Sequence, residues 1–264
     1  MPEERFSADL KIVHISDIHV AEPHFLPDLM ERVIERVEEL QPEIVVLTGD
    51  LTESGYSFEF ERAKKYVERL KCERLVVVPG NHDARNVGYL CFEDFFGARF
   101  KVLRHEGVTV VAVDSTQPDL DEGHVGREKY EWIQKSFEEA GEDLKIFALH
   151  HHLLPVPYTG RERNVLTDAG DVLKLLCDCG VQIALCGHKH VSWVWSLNEM
   201  VVLNAGTACT NRVKYRILPS FNLIELEEAH PSASEKFPHR FKRMRVKRIY
   251  SKGGEITVLE RELF

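Results

Sequence analysis

Residues 10–19 read LKIVHISDIH and residues 43–50 read EIVVLTGD. Each is a strand-sized apolar run that ends on a carboxylate, Asp17 or Asp50. The same arrangement recurs in RLVVVPGNHD at 74–83, in LKIFALHHH at 144–152 and in VQIALCGHKH at 181–190. Strands are read at 10–16, 43–48, 74–78, 145–149 and 181–186, and in each case the polar motif follows the C-terminal end. A further strand at 108–113 is preceded by a shorter one at 100–103. Helices are read between these runs. In 26–40, Leu26, Leu29, Met30, Val33, Ile34, Val37 and Leu40 recur at spacings of three and four, and Pro42 stops the pattern. Residues 58–70, 129–140 and 169–179 also read as helices.

Alternating strands and helices imply a largely parallel sheet with helices outside it. Beyond residue 190 the strands at 191–196, 201–203 and 221–226 have no helices between them, which implies a second, more antiparallel sheet. The expected fold class is therefore α/β: two packed mixed β-sheets with helices on both outer faces. Strands 241–250 and 255–263, joined across Gly253 and Gly254, read as a closing hairpin. The expected organisation is one domain over 1–228 with an appended basic β-hairpin at 229–264.

The 264 residues carry 34 Lys+Arg against 43 Asp+Glu, a net charge of −9. The excess is uneven: residues 229–264 hold nine basic and four acidic residues, leaving 25 against 39 in the rest. So acidic a body argues against a nucleic-acid partner and repels an anionic substrate unless cations sit in the site. The basic run FKRMRVKRIY at 241–250 reads as a strand with cations on its solvated face, although a tail reaching across a homo-oligomer interface is an alternative. No apolar run approaches the ~20 residues of a membrane span. The N-terminal MPEERFSADL shows no secretory signal, and the six cysteines form no disulfide framework, so a reducing, cytoplasmic setting is expected.

In open α/β sheets ligand sites form where the loops at the strands' C-terminal ends converge. Asp17, His19, Asp50, Asn81, His150, His188 and His190 would meet there. Carboxylate, imidazole and amide donors suit divalent Mn, Fe or Zn, and Asp50 can bridge two ions. Gly49, Gly80 and Gly187 precede three of the motifs, where glycine lets the chain turn sharply.

The ordered pattern D-x-H, G-D, G-N-H-D, H, G-H-x-H resembles the calcineurin-like metallophosphoesterase family over roughly residues 10–228. HHHLLP at 150–155 and GNHD at 80–83 are most similar to class III cyclic-nucleotide phosphodiesterases. GHVGREKYEWI at 123–133 also looks like a segment of that group, with departures at Tyr130 and Ile133. The resemblance implies a four-layer sandwich and two divalent metal ions, of Mn, Fe, Zn or a mixture. Asp17, His19, His190 and the bridging Asp50 would hold one ion; Asp50, Asn81, His150 and His188 would hold the other. His150 is chosen over its neighbours as the first histidine after its strand. A metal-bridging hydroxide would attack a small phosphodiester such as a 3′,5′-cyclic nucleotide. His82 would face the phosphate and help protonate the leaving group, with Asp83 orienting it; Asn81 and His152 would contact substrate. His151 is read as backing the ligands, and His14 as a satisfied sheet residue. His24, His105, His124, His230 and His239 are read as surface residues. Protein phosphatases of the superfamily carry GDxVDRG where this chain has GDLTESG, which argues against that activity. A phosphomonoesterase, a nucleotide pyrophosphatase and a non-catalytic scaffold on the same fold are the rival readings; for the scaffold, no ligand position is missing.

Overall fold

A computed structural model describes residues 6–21, 23–159, 165–213, 217–229 and 239–263. Its strands are β1 (Leu10–Ile15), β2 (Ile44–Thr48), β3 (Leu75–Val78), β4 (Lys101–His105), β5 (Val108–Ala112), β6 (Leu144–Ala148), β7 (Ile183–Cys186), β8 (Trp193–Leu197), β9 (Met200–Asn204), β10 (Ser220–Glu228), β11 (Phe241–Tyr250) and β12 (Glu255–Glu262). Its α-helices are α1 (Pro27–Leu40), α2 (Ser57–Val67), α3 (Gly88–Phe96), α4 (Tyr130–Glu138) and α5 (Ala169–Asp178).

The strands form two six-stranded sheets, in the orders β12-β11-β10-β1-β2-β3 and β4-β5-β6-β7-β9-β8. In the first, β1, β2 and β3 run parallel while β10, β11 and β12 add antiparallel neighbours. In the second, β5, β6, β7 and β9 run parallel, flanked by antiparallel β4 and β8. The division thus differs from the expected parallel sheet followed by an antiparallel one. Each sheet has a parallel centre, and the helix-free strands are shared between them. β9 can lie parallel to β7 because β8 carries the chain back between them, a return that needs no helix.

Period-two alternation sorts side chains between layers. Leu10 and Ile12 of β1 join Ile44, Val46, Val110, Ile146 and Leu203 in a core between the sheets. Val13 and Ile15 face the other way, onto α1, α2 and α3 through Met30, Val33, Phe60 and Phe92. On the second sheet, Phe147 and Ala184 pack against Ile133 and Phe137 of α4 and Val172 and Leu176 of α5. The result is the expected four layers, helices–sheet–sheet–helices. α1 begins with Pro27 in its first turn, where a missing N–H costs nothing, and ends at Gln41 in the left-handed conformation. α3 was not legible: it opens on Gly88 just after Asn86 and Val87, a stretch that reads as a turn, and only Gly88 and Phe92 are buried.

β11 lies inside the first sheet, paired on both sides. Phe241, Met244 and Val246 enter the inter-sheet core. Its cations meet the acids of the flanking strands. Arg243 Nε lies 2.6 Å from Glu227, Lys247 Nζ 3.4 Å from Glu225 and 3.2 Å from Glu255, and Arg245 Nε 2.8 Å from Glu260. Most of the basic run is therefore paired within its own sheet, while Arg248 donates to Ser192 O at 3.0 Å. His230 lies outside the described residues. His239, expected at the surface, is buried, because it sits where the chain enters β11. All six cysteines are free, and among the described residues no helix is long and apolar enough to cross a membrane.

Removing the buried side chain of Met244 tests how far the hairpin supports the body. Met244→Ala is expected to cost about 2–5 kcal/mol. It should lower the urea midpoint of the whole molecule in one transition; an unchanged midpoint would show that the hairpin contributes no core.

Candidate metal centre

Asp17 and His19 follow β1, Asp50 follows β2, and Asn81 and His82 follow β3. His150 follows β6 on the other sheet, and His188 and His190 follow β7. Parallel strands deliver all of these to one edge, where the sheets meet. Asp17, His19, Asp50 and His190 place one donor atom each within 4.8 Å of one another, and so do Asp50, His150 and His188. The groups share Asp50, whose Oδ2 lies 3.5 Å from His19 Nε2 and 3.4 Å from His150 Nε2.

The outward hydrogen bonds fix which atoms face inward. His150 Nδ1 donates to Thr48 O at 2.6 Å and His190 Nδ1 to Arg212 O at 2.8 Å, while His19 Nδ1 lies 3.1 Å from Glu53 Oε2. Each of these partners accepts only, so each Nδ1 carries a proton and each Nε2 is turned inward. The consequence is a crowd of ligand-type atoms at close range. His19 Nε2 and His190 Nε2 are 3.0 Å apart. Asp17 Oδ1, buried without a hydrogen-bond partner, is 3.3 Å from His190 Nε2. Asn81 Oδ1 lies 3.1 Å from His150 Nε2 and 2.9 Å from His188 Nδ1. Ligand atoms this close need shared protons or a cation between them, and N/O donors in two overlapping groups suit two divalent ions.

The protein's own charges respond to this crowding. Burial opposes the charge on His150, but Asp50 and Asp17 push its pKa up to about 9. Burial also opposes ionisation of Asp50, yet the surrounding histidines, His150 first, hold it well below the usual carboxylate range. Burial and the neighbouring rings of His151 and His150 depress His188.

Asp17, His19, Asp50, His188 and His190 all have positive φ, between 50° and 73°. Left-handed backbone at a residue with a Cβ costs roughly 1–2 kcal/mol. Here it curls the side chains over the strand ends. The glycines divide their roles. Gly49 adopts φ 83°, as expected of a sharp turn, but at Gly80 and Gly187 the reason is close approach. A Cβ on Gly80 would sit 2.3 Å from Asp50 N, and one on Gly187 2.0 Å from Ser16 Oγ.

A cleft of about 270 Å³ opens onto the centre, lined by Asp50, Asn81, His82, Arg85, Asp121 and His188 among others. His82 packs its ring edge-on to His19, 4.7 Å between centroids. Its Nδ1 lies 2.8 Å from Glu53 O and 3.1 Å from Glu53 Oε2, leaving Nε2 for the cleft. The orienting group expected in Asp83 is therefore Glu53. Asp83 instead accepts from the backbone N–H groups of Leu51, Thr52 and Gly80 and from the Thr52 hydroxyl, tying the Asp50 loop to the Asn81 loop. His152, expected to contact substrate, is fully buried, stacks on the His188 ring at 5.6 Å and is not part of the cleft lining. His151 is buried behind His188, bonded to Ser115 Oγ and Asp121 O. His14 is satisfied by Thr48 Oγ1 and Asn222. Glu53 had a signal in the sequence: it stands in GDLTESG, three residues beyond Asp50. Lys189 stands between the two ligand histidines of GHKH, whereas Asp121 and Arg212 had no signal, since only the fold brings them to the cleft.

The chain belongs to the calcineurin-like phosphoesterase family, whose profile it matches over residues 10–192. It is 26% identical over 205 residues to a probable cyclic nucleotide phosphodiesterase of Synechococcus, covering 72% of this chain and 78% of that protein. It is 24% identical over 255 residues to the 3′,5′-cyclic adenosine monophosphate phosphodiesterase CpdA of Escherichia coli, covering 87% and 92%. The fold is similar to that of purple acid phosphatase PPD1 from yellow lupin seeds, with a TM-score of 0.70 at 15% identity, covering 98% of this chain and 54% of that one.

Gly80→Ala tests the close approach. The added methyl should cost about 1–3 kcal/mol in thermal unfolding and, by pushing Asp50 aside, weaken divalent-metal binding in equilibrium dialysis. Wild-type stability and metal content would show that the loops have slack.

Proposed function

We propose that this chain is a dinuclear metal-dependent phosphodiesterase acting on small phosphodiesters, 3′,5′-cyclic nucleotides among them. The observation that carries the reading is the convergence of carboxylate, imidazole and amide ligand atoms on both sides of Asp50 Oδ2. Asp17, His19, His190 and Asp50 would hold one ion, and Asp50, Asn81, His150 and His188 the other, from Mn, Fe and Zn. When bound, two such ions lower the pKa of a shared water and neutralise the phosphate oxygens.

The chain's own residues supply the rest. Burial opposes protonation of His82, but Asp50 and Glu53 raise its pKa above the ordinary histidine value. The protonated form is thereby favoured at the cleft, with Nδ1 engaged by Glu53 and Nε2 facing a departing ester oxygen that it could protonate. Arg85, Lys189 and Arg212 line the same cleft and offset the acidic body as an anion approaches.

The test is a panel of phosphodiesters, cyclic AMP included, and monoesters, run with Mn, Fe, Zn and Mg. Diesters should turn over faster than monoesters, and His188→Ala should lose activity by orders of magnitude. Faster monoester hydrolysis would make the chain a phosphomonoesterase. Wild-type-like turnover by His188→Ala at saturating metal would remove the dinuclear reading.

His82→Ala should lower kcat by about 10²–10⁴-fold for an alkoxide leaving group and by less for a nitrophenolate, which needs no proton. The acid is active below its pKa and lost as pH rises through it. Glu53→Gln removes a charge that raises this pKa, so the alkaline limb of the rate profile should move to lower pH. A limb unmoved in Glu53→Gln would assign the ionisation to another group.

A further inference from the structure

Asp121 stands outside every motif, in the segment between β5 and α4, yet three groups of the centre converge on it. Its Oδ1 accepts from Asn81 Nδ2 at 3.0 Å and from Arg85 Nη2 at 3.1 Å. Its carbonyl lies 3.2 Å from His151 Nε2, and the His151 ring packs 4.8 Å from that of His188.

The bond to Asn81 decides that residue's orientation. A carboxylate accepts and does not donate, so the amide NH₂ must face Asp121. The Asn81 carbonyl oxygen is thereby turned to His150 Nε2 and His188 Nδ1. The opposite flip would present N–H groups to the centre, which repel a cation. Arg85 fixes the carboxylate in turn: it also donates to Glu53 O at 3.2 Å, the carbonyl that engages His82. Asp17 accepts instead from the backbone N–H of His188 at 3.2 Å, so the constraint from Asp121 falls on one of the two donor groups.

We propose that Asp121 is a positioning residue for the Asn81–His150–His188 group, holding the Asn81 amide in its metal-binding flip. This rests on the dinuclear reading above. Groups that orient ligands from behind typically contribute about 10–100-fold in metal affinity.

The experiment titrates metal-free, full-length protein with Mn²⁺ and counts bound ions by electron paramagnetic resonance, with thermal unfolding of the metal-free form to verify folding. Wild type should bind two ions. Asp121→Ala should keep one affinity and weaken the other by about 10–100-fold. Asp121→Asn can still offer a carbonyl to Asn81 and should recover most of the loss, a rescue that a merely structural defect would not give. Two ions bound by folded Asp121→Ala with wild-type affinities, or an equal loss at both sites, would overturn the proposal alone. Failure of the wild type to bind a second ion would overturn the dinuclear reading together with it.

Discussion

The Asp50 carboxylate is the constraint around which the molecule is arranged. It is 1% exposed, and a carboxylate so deeply buried is costly unless it is paired on every side. One oxygen is satisfied by the backbone N–H of His82; the other looks toward His19 of the first sheet and His150 of the second. Neither sheet could complete that environment alone. The first supplies Asp17, His19, Asp50 and Asn81, the second His150, His188 and His190. Packing the sheets face to face, with their parallel strands delivering loops to one edge, is what closes the shell. The Asp83 carboxylate, which joins the Asp50 loop to the Asn81 loop, and Gly80, which lets them touch, serve the same end.

That closure carries strain. Five of the seven side chains around the centre stand on left-handed backbone with no glycine to ease it. Natural domains are stable by only about 5–15 kcal/mol, so several such residues are sustained only if the surroundings over-determine them. The surroundings do: β1, β2, β6 and β7 are buried on both faces, and the edge atoms are hydrogen-bonded outward to Thr48, Arg212 and Glu53. Fold stability is thus converted into a fixed set of inward lone pairs, a preorganisation that cations or protons can relieve.

Much of this was legible in the sequence for a simple reason. Chemistry at strand ends leaves a local signature: an apolar run, a glycine or a small residue, then a ligand-type side chain. Asp17, Asp50, Asn81 and His188 carry it in full, and His19, His150 and His190 stand in the same strand-end motifs. What was hidden depends on contacts between loops. Asp83 looked like the partner of its neighbour His82 because adjacency is all that a sequence shows; in space Glu53 takes that place and Asp83 turns to the backbone. His152 follows two residues after His150, but in the irregular segment beyond β6 it is buried and stacks on the His188 ring. Asp121 had no motif, and its importance comes only from where the segment after β5 lies. The sharing of the later strands between two sheets was hidden too, since pairing partners leave no trace in a strand's own composition.

Net charge gains meaning from the same geometry. A body with 39 acids and 25 bases would keep an anionic ester away if charge acted uniformly. It does not, because distant surface charges are screened over about 8–10 Å and the ester meets only the cleft. There Arg85, Lys189, Arg212 and His82 gather, and two divalent ions would add about four more charges. The basic strand β11, by contrast, has its cations met by Glu225, Glu227, Glu255 and Glu260. The most basic stretch of the sequence is therefore electrically quiet, and the attraction for an anion lies at the edge where the histidines and aspartates gather.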